Sequence, residues 1–199
     1  MMTDKDIKKS RAVITGLIQK GAIVKPESGF AEFFLSKSES SLQTCSALIK
    51  LSKSSEAKKL LNLPQAYESY MWAINTGYYS MFYAATALLA AYNHKIKTDY
   101  GIHALTCHAL VYYFLDCDKK LTKHILEQYS IAERESSELL RTAEEEARNS
   151  IESVRLEMGK RRDFTYEMGM IAIKSKAETS EKRAREFLTL VKELMLKKS

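Results

Sequence analysis

The sequence is poor in the residues that interrupt helices. Two prolines and seven glycines in 199 residues leave few punctuation points, which disfavours a turn-rich β fold and favours long helices. Strict apolar–polar alternation is missing, and this excludes RRM, OB-fold and doubly wound nucleotide-binding architectures. The three cysteines, Cys45, Cys107 and Cys117, are odd in number and show no disulfide or zinc-ribbon spacing. The N-terminal stretch MMTDKDIKKSR is charged and has no apolar signal core. Both features point to a protein of the reducing cytoplasm. No Walker loop, dinucleotide glycine fingerprint, H-E-x-x-H or serine-nucleophile elbow occurs. The net charge of +6 is mild; it permits a polyanion partner without requiring one.

What the sequence has is one long apolar run. Residues 69–93, SYMWAINTGYYSMFYAATALLAAYN, are twenty-five residues without a formal charge, long enough to span a bilayer. The run also contains Ser69, Asn75, Thr76, Ser80 and five tyrosines, and no second such run exists to pair with it. A central core helix is therefore expected, with no membrane partner. Its inward stripe reads Tyr67, Tyr70, Ile74, Tyr78, Met81, Phe82, Ala85, Leu88 and Leu89. Gly77, Ala84, Ala85 and Ala87 would let a neighbouring helix approach closely. Pro64 suits the first turn and Asn93 the C-terminal cap.

The remaining periodicity is helical as well. A first helix is expected over 4–20, with Ile7, Ile14, Leu17 and Ile18 inward, followed by a connector over 21–29. A second begins near Gly29, carries Phe30, Phe33, Phe34, Leu42, Cys45, Leu48 and Ile49, and loosens over the Ser/Lys-rich 52–59. Another covers 100–115. Residues 119–158 keep an apolar 3–4 pattern from Leu121, Ile125 and Tyr129 to Ile151 and Met158. Unbroken, that helix would approach about 60 Å, so it must bend near Ser136-Ser137 or project towards a partner. The last helix opens on a capping box, Ser175-x-x-Glu178, and buries Ala184, Phe187, Leu188, Val191, Leu194 and Met195. The expectation is an all-α, up-and-down bundle of five to six helices with no β-sheet. Residues 1–28 form an N-terminal helical extension and 29–199 the bundle domain.

Candidate chemistry is sparse. His94, His103, His108 and His124 lie close together in sequence, with Cys107 four residues after His103. Carboxylates at matching spacing are absent, so neither a metal nor any other cofactor is expected. Glu144-Glu145-Glu146 sits among Arg141, Arg148 and Arg155 and reads as a solvated face with i, i+4 ion pairs. The aromatic residues Tyr67, Tyr70, Trp72, Tyr78, Tyr79, Phe82 and Tyr83 read as core packing. Asn75 and Tyr79 stand out as polar groups four residues apart on an apolar helix, and need partners if buried. Arg161-Arg162 stands beside Lys160 at a helix break, with Tyr166 following Arg161 after four residues. Guanidinium groups offer forked donors that fit phosphate oxygens.

Together these segments resemble the HEPN family, in particular its small prokaryotic stand-alone members. The family's central pattern N-x-x-Y-Y-x-M-F-x-A-A is matched by Asn75, Tyr78, Tyr79, Met81, Phe82, Ala84 and Ala85. His103 corresponds to a histidine at the start of the next helix. The late R-x4-Y form of the arginine motif reads Arg161-x4-Tyr166, and A-x-x-F-L in the final helix is matched by Ala184 to Leu188. The resemblance implies a four-helix core, preceded here by an N-terminal helix, that is usually a homodimer and is often encoded beside a minimal nucleotidyltransferase. Many members are metal-independent ribonuclease toxins whose arginine and histidine come from both protomers. In some pairs the partner transfers AMP to a tyrosine near the motif; other members bind nucleotides or hold the partner.

The chain departs from the nuclease pattern, because Tyr166 stands where a histidine is usual. A base that uses the RNA's own 2′-hydroxyl titrates best near the working pH, and tyrosine's ordinary value is about 10. The leading expectation is therefore a dimeric module that binds nucleotide or RNA phosphate through Arg161 and Arg162, with Asn75, Tyr79 and His103 assisting. It would partner a minimal nucleotidyltransferase in a toxin–antitoxin-like system. The first alternative is an active metal-independent endoribonuclease toxin using Arg161 and Tyr166. The second is a structural helical adaptor that recruits a partner through the long helix.

Overall fold

The computed structural model describes residues 2–97, 101–153 and 163–198; for Ala143, 146–153 and 163–172 only the backbone is described. It contains seven α-helices: α1 (Asp4–Gln19), α2 (Phe30–Lys53), α3 (Ser55–Leu60), α4 (Tyr70–Ala91), α5 (Ile102–Leu110), α6 (Lys123–Ser153) and α7 (Asp163–Leu196). A π-helical segment, Val111–Cys117, continues α5. Among the described residues, no helix is long and apolar enough to cross a membrane.

The charge-free run forms α4, as its periodicity requires, and α4 is the centre of the core. Ile74, Met81, Ala84, Ala85, Ala87 and Leu88 are all at most 1% exposed. Its C-terminus closes as expected at Asn93, which adopts φ 64°. The Asn93 amide donates to Ala90 O and the His94 amide to Leu89 O, each at 2.9 Å. This pair of bonds satisfies carbonyls that the helix end would otherwise leave open. The N-terminus differs from expectation. Pro64 begins a turn, closed by Tyr67 N–H donating to Pro64 O at 2.9 Å, and the helix starts only at Tyr70. Ser69 is tied instead to Ser52, through its amide at 2.9 Å and its hydroxyl at 3.0 Å.

Named contacts fix the helix directions. The Ser38 hydroxyl donates to Ser80 O at 2.8 Å, and Ser52 meets Ser69, so α2 and α4 are antiparallel. Ser136 bonds to Asn75 and the Tyr129 ring packs on that of Tyr78, so α6 is antiparallel to α4. Tyr129 also meets Phe187, while Arg183 donates to Gln128 at 2.6 Å and to Glu135 at 2.7 Å. The Ser180 hydroxyl reaches Ile74 O and the Tyr92 hydroxyl reaches Leu194 O, both at 3.3 Å, which makes α7 parallel to α4. The directions of α2, α4, α6 and α7 thus alternate along the chain around one apolar core. From α1, the fully buried Ile14 enters that same core.

Further expectations are corrected. A small sheet exists: β1 (Ile23–Val24) pairs antiparallel with β2 (Lys95–Ile96), Ile23 opposite Ile96. Two residues per strand carry no readable alternation, and the pairing comes from two connectors lying side by side. The helix count exceeds the expected five to six because Ser54 caps a new short helix, α3, by accepting from Ala57 N–H at 3.1 Å. The capping box at Ser175 lies in the interior of α7, and Glu178 pairs with Lys53 of α2 at 2.6 Å. The helix after α4 ends in π geometry, with Asp118 N–H donating to Tyr113 O. Finally, Ile18 (46% exposed), Phe33 (55%) and Trp72 (55%) lie outside the core.

Within 119–158, the helix itself begins at Lys123, after a turn with Lys119 at φ 51°. It continues to Ser153 without a break, a length of about 45 Å. Leu121, Tyr129 and Ala132 are buried as expected, joined by the fully buried Leu126. Of the acidic face, Glu144 and Glu145 are exposed, with Arg141 and Glu145 paired at 2.6 Å; the side chains of Glu146, Arg148 and Arg155 lie outside the described residues.

Candidate functional site

The sequence points to two groups of residues, and the structure describes one of them. Tyr79 and His103 come together where α4 meets the start of α5, and Asn75 lies one turn of α4 earlier, against Ser136 of α6. Arg161 and Arg162 lie outside the described residues, as does the Tyr166 side chain; the Tyr166 backbone belongs to α7. From Tyr166 to Ser180, the residue that meets Gly77 of α4, is about four turns of helix, roughly 20 Å.

His103 is the pivot of the described group. It sits in the first turn of α5, half-buried, with its ring tilted over Phe82 at 4.2 Å between centroids. Tyr79 approaches edge-on at 5.8 Å. The Tyr78 hydroxyl lies 2.7 Å from His103 Nδ1. Burial pushes the Tyr78 phenol far above its ordinary value and the His103 imidazole below its own. Both groups are therefore neutral near pH 7. Two neutral groups at this distance share one hydrogen bond, whose donor is set by the tautomer of the ring. His103 is thus a neutral imidazole held in orientation by Tyr78.

Asn75 is buried one turn before Tyr78. Its Oδ1 accepts a hydrogen bond from the Ser136 hydroxyl. Its Nδ2 is enclosed and has no partner among the described residues, whereas the equally buried Tyr129 hydroxyl interacts with that of Tyr78. A buried amide carries a desolvation cost of about 1–3 kcal/mol unless it is satisfied. Tyr79 is half-buried, flanked by Tyr83 at 5.8 Å and Tyr78 at 5.7 Å. It therefore presents ring surface at the edge of the core rather than inside it.

Sequence reasoning left out the residues on α6 that complete this group. Ser136 anchors Asn75, the fully buried Tyr129 backs Tyr78, and Glu133 stands half-buried beside them. Burial pushes the Glu133 carboxyl up. One signal was present in the sequence: Tyr129, Ala132 and Ser136 share the inward stripe of α6, where a serine is out of place unless it bonds across to another helix. Tyr78 was placed in the packing stripe, yet it both packs and orients His103.

The histidines do not converge. His94 stacks on Tyr113 at 3.7 Å and His108 meets Ser10 at 2.9 Å. Cys107, expected on the face of His103, contacts Ser130 at 3.4 Å. Among the described residues, no group of three or more histidine, cysteine or acidic side chains could hold a metal ion. The described site thus offers a half-buried neutral imidazole and the exposed part of the Tyr79 ring, a set suited to stacking a flat group. In comparison with known proteins, the chain matches no family model and no curated protein.

Proposed function

We propose that the chain is a HEPN-like module that binds nucleotide or RNA phosphate, acts as a dimer, and partners a minimal nucleotidyltransferase in a toxin–antitoxin-like system. The observation that carries this reading is the pairing of Tyr78 with His103. Two positions of the family-like pattern, distant in sequence, meet at 2.7 Å. Asn75 of the same pattern is buried beside them with an amide still unpaired. The alternating helix directions around one core support the HEPN-like four-helix arrangement. In this reading Arg161 and Arg162 supply the charge that holds phosphate, and the neutral imidazole of His103 adds a hydrogen-bonding group.

The late motif also bears on binding against cleavage. A general base titrates best near the working pH, whereas tyrosine, ordinarily titrating at about 10, stands at Tyr166 where that base would be needed. This favours the binding module over the endoribonuclease. The deciding experiment is incubation of purified protein with RNA in excess chelator, beside the Arg161→Ala/Arg162→Ala variant, with RNA affinity measured in parallel. Binding that the double variant loses, without cleavage by either protein, is expected. Cleavage abolished by the double variant would establish the ribonuclease instead, and RNA affinity unchanged in that variant would refute the arginine site.

A further inference from the structure

A cleft of about 400 Å³ opens between α1 and α6, with α5 as its floor. Its size falls in the range of small-molecule sites, about 300–1,000 Å³. Met2, Val111 and Ile131 give it apolar walls, and Lys9, His108 and Arg134 line it with polar groups. It is bridged at one rim by Glu127, which accepts from the Met2 amide. Lys123 of α6 and Asp4 of α1 pair at 3.2 Å.

The groups lining the cleft differ in what they have left to offer a ligand. Both carboxylates accept hydrogen bonds within the chain: Glu127 from the Met2 amide, and Asp6 from the Thr3 amide and hydroxyl at 2.8 and 2.7 Å. The cations keep their donors. Lys9 feels the charge of Asp6 but makes no hydrogen bond or ion pair among the described residues, and Arg134 has only a 3.9 Å contact with the exposed Glu138. The lining is formally charge-balanced, and its unengaged donors are the two cations.

His108 adds a directed acceptor. The Ser10 hydroxyl donates to Asp6 O at 2.9 Å, and a carbonyl can only accept. Its single proton is thereby committed, so at the 2.9 Å contact between Ser10 Oγ and His108 Nδ1 the imidazole is the donor. The remaining nitrogen, Nε2, holds a free lone pair. Burial and the nearby charge of Lys9 both hold this imidazole below its ordinary value, so it stays neutral near pH 7.

We propose that this cleft binds a small organic anion, with Lys9 and Arg134 holding its phosphate or carboxylate and His108 accepting a hydrogen bond from its hydroxyl or amino group. The carbon skeleton rests on Met2, Val111 and Ile131. This site is separate from the arginine site of the proposed function and does not rest on it.

The test is calorimetric titration of the full chain with glycerol 3-phosphate and, separately, lactate, with glycerol as the uncharged control. At least one anion is expected to bind saturably at millimolar concentration, and glycerol not at all. Binding of the phosphate alone assigns a phosphomonoester, and of lactate alone a hydroxycarboxylate. Lys9→Gln and Arg134→Gln, both at exposed positions, each weaken the binding about tenfold or more. His108→Gln, checked for an unchanged melting temperature, removes the preference for the hydroxylated anion over propyl phosphate or propionate. Failure of both anions to bind, or binding that Lys9→Gln and Arg134→Gln leave intact, overturns the proposal. The titration uses no RNA, so its result is independent of the arginine reading.

Discussion

Gly77 and Ser180 meet so closely that a β-carbon on Gly77 would lie 2.5 Å from the Ser180 hydroxyl oxygen. The serine cannot swing away freely, because that oxygen donates to Ile74 O in the same helix as Gly77. Gly77→Ala should therefore destabilise the protein by about 1–2 kcal/mol, even though alanine favours a helix interior by about 1 kcal/mol. Ser180→Ala removes the clashing atom and leaves its Cβ at 3.4 Å, an ordinary contact. The double variant is expected to recover most of the loss. Urea melts of all four proteins measure the coupling, and additive effects would contradict this account.

Asn75 and Ser136 form the second coupled pair. Asn75→Ala strands the buried Ser136 hydroxyl and should cost about 1–3 kcal/mol. Asn75→Ala/Ser136→Ala should cost less than the sum of the single changes, since it removes both partners. Denaturant midpoints decide this.

Three histidines give the stability a pH dependence of definite sign. His94, His103 and His108 are all held below 6.5 in the fold, by burial first. The native state therefore binds fewer protons than the unfolded chain once the pH drops below about 6.5. Their contribution is complete above that value and is lost as the pH falls through the folded values. The melting temperature should fall as the pH is lowered from about 7.5 to about 5.5. His103→Gln should flatten part of that slope.

Glu133 works in the opposite sense. Its carboxyl is raised above 4.5 by burial and has no cation beside it. Its favourable contribution belongs to the protonated form and is lost as the pH rises through the folded value. Glu133→Gln is expected to raise the melting temperature at neutral pH and to have little effect near pH 4, which a thermal scan at both values reads directly.

Tyr78→Phe tests the orientation of His103. If the phenol donates to Nδ1 its removal moves the His103 titration upward towards 6.5, and if Nδ1–H donates to the phenol oxygen its removal moves it down. An NMR titration of the imidazole reads the direction; an unmoved value would refute the coupling of the two side chains.

The legible parts of the fold were those in which local pattern and tertiary burial agree. The stripe of α4 is charge-free and periodic, its small residues do admit α7 at Gly77, and Asn93 closes its end. What could not be read is set by partners distant in sequence. Ser175 and Glu178 have the composition of a cap, but Glu178 spends its charge on Lys53 across the bundle. Ile18, Phe33 and Trp72 satisfy a helical period yet face no neighbouring element that covers them. At the candidate site, Asn75 and Tyr79 announced themselves as polar residues on an apolar helix. Tyr129 reads as apolar packing and Ser136 as a break in the stripe, because their partners Tyr78 and Asn75 lie on another helix. The arginine pair falls outside the described residues, so its place relative to His103 rests on the proposed function alone.

The parallel docking of α7 on α4 has a consequence for the order in which the protein is made. Gly77 leaves the ribosome about 100 residues before Ser180, an interval of roughly 5–20 s at ordinary elongation rates. During that time α4 can pair with α2, which precedes it in the chain, but the side at Gly77 that receives Ser180 lacks α7 to cover it. A nascent chain stalled before α7 would therefore expose the most apolar segment of the molecule, and would be a target for chaperones until synthesis resumed.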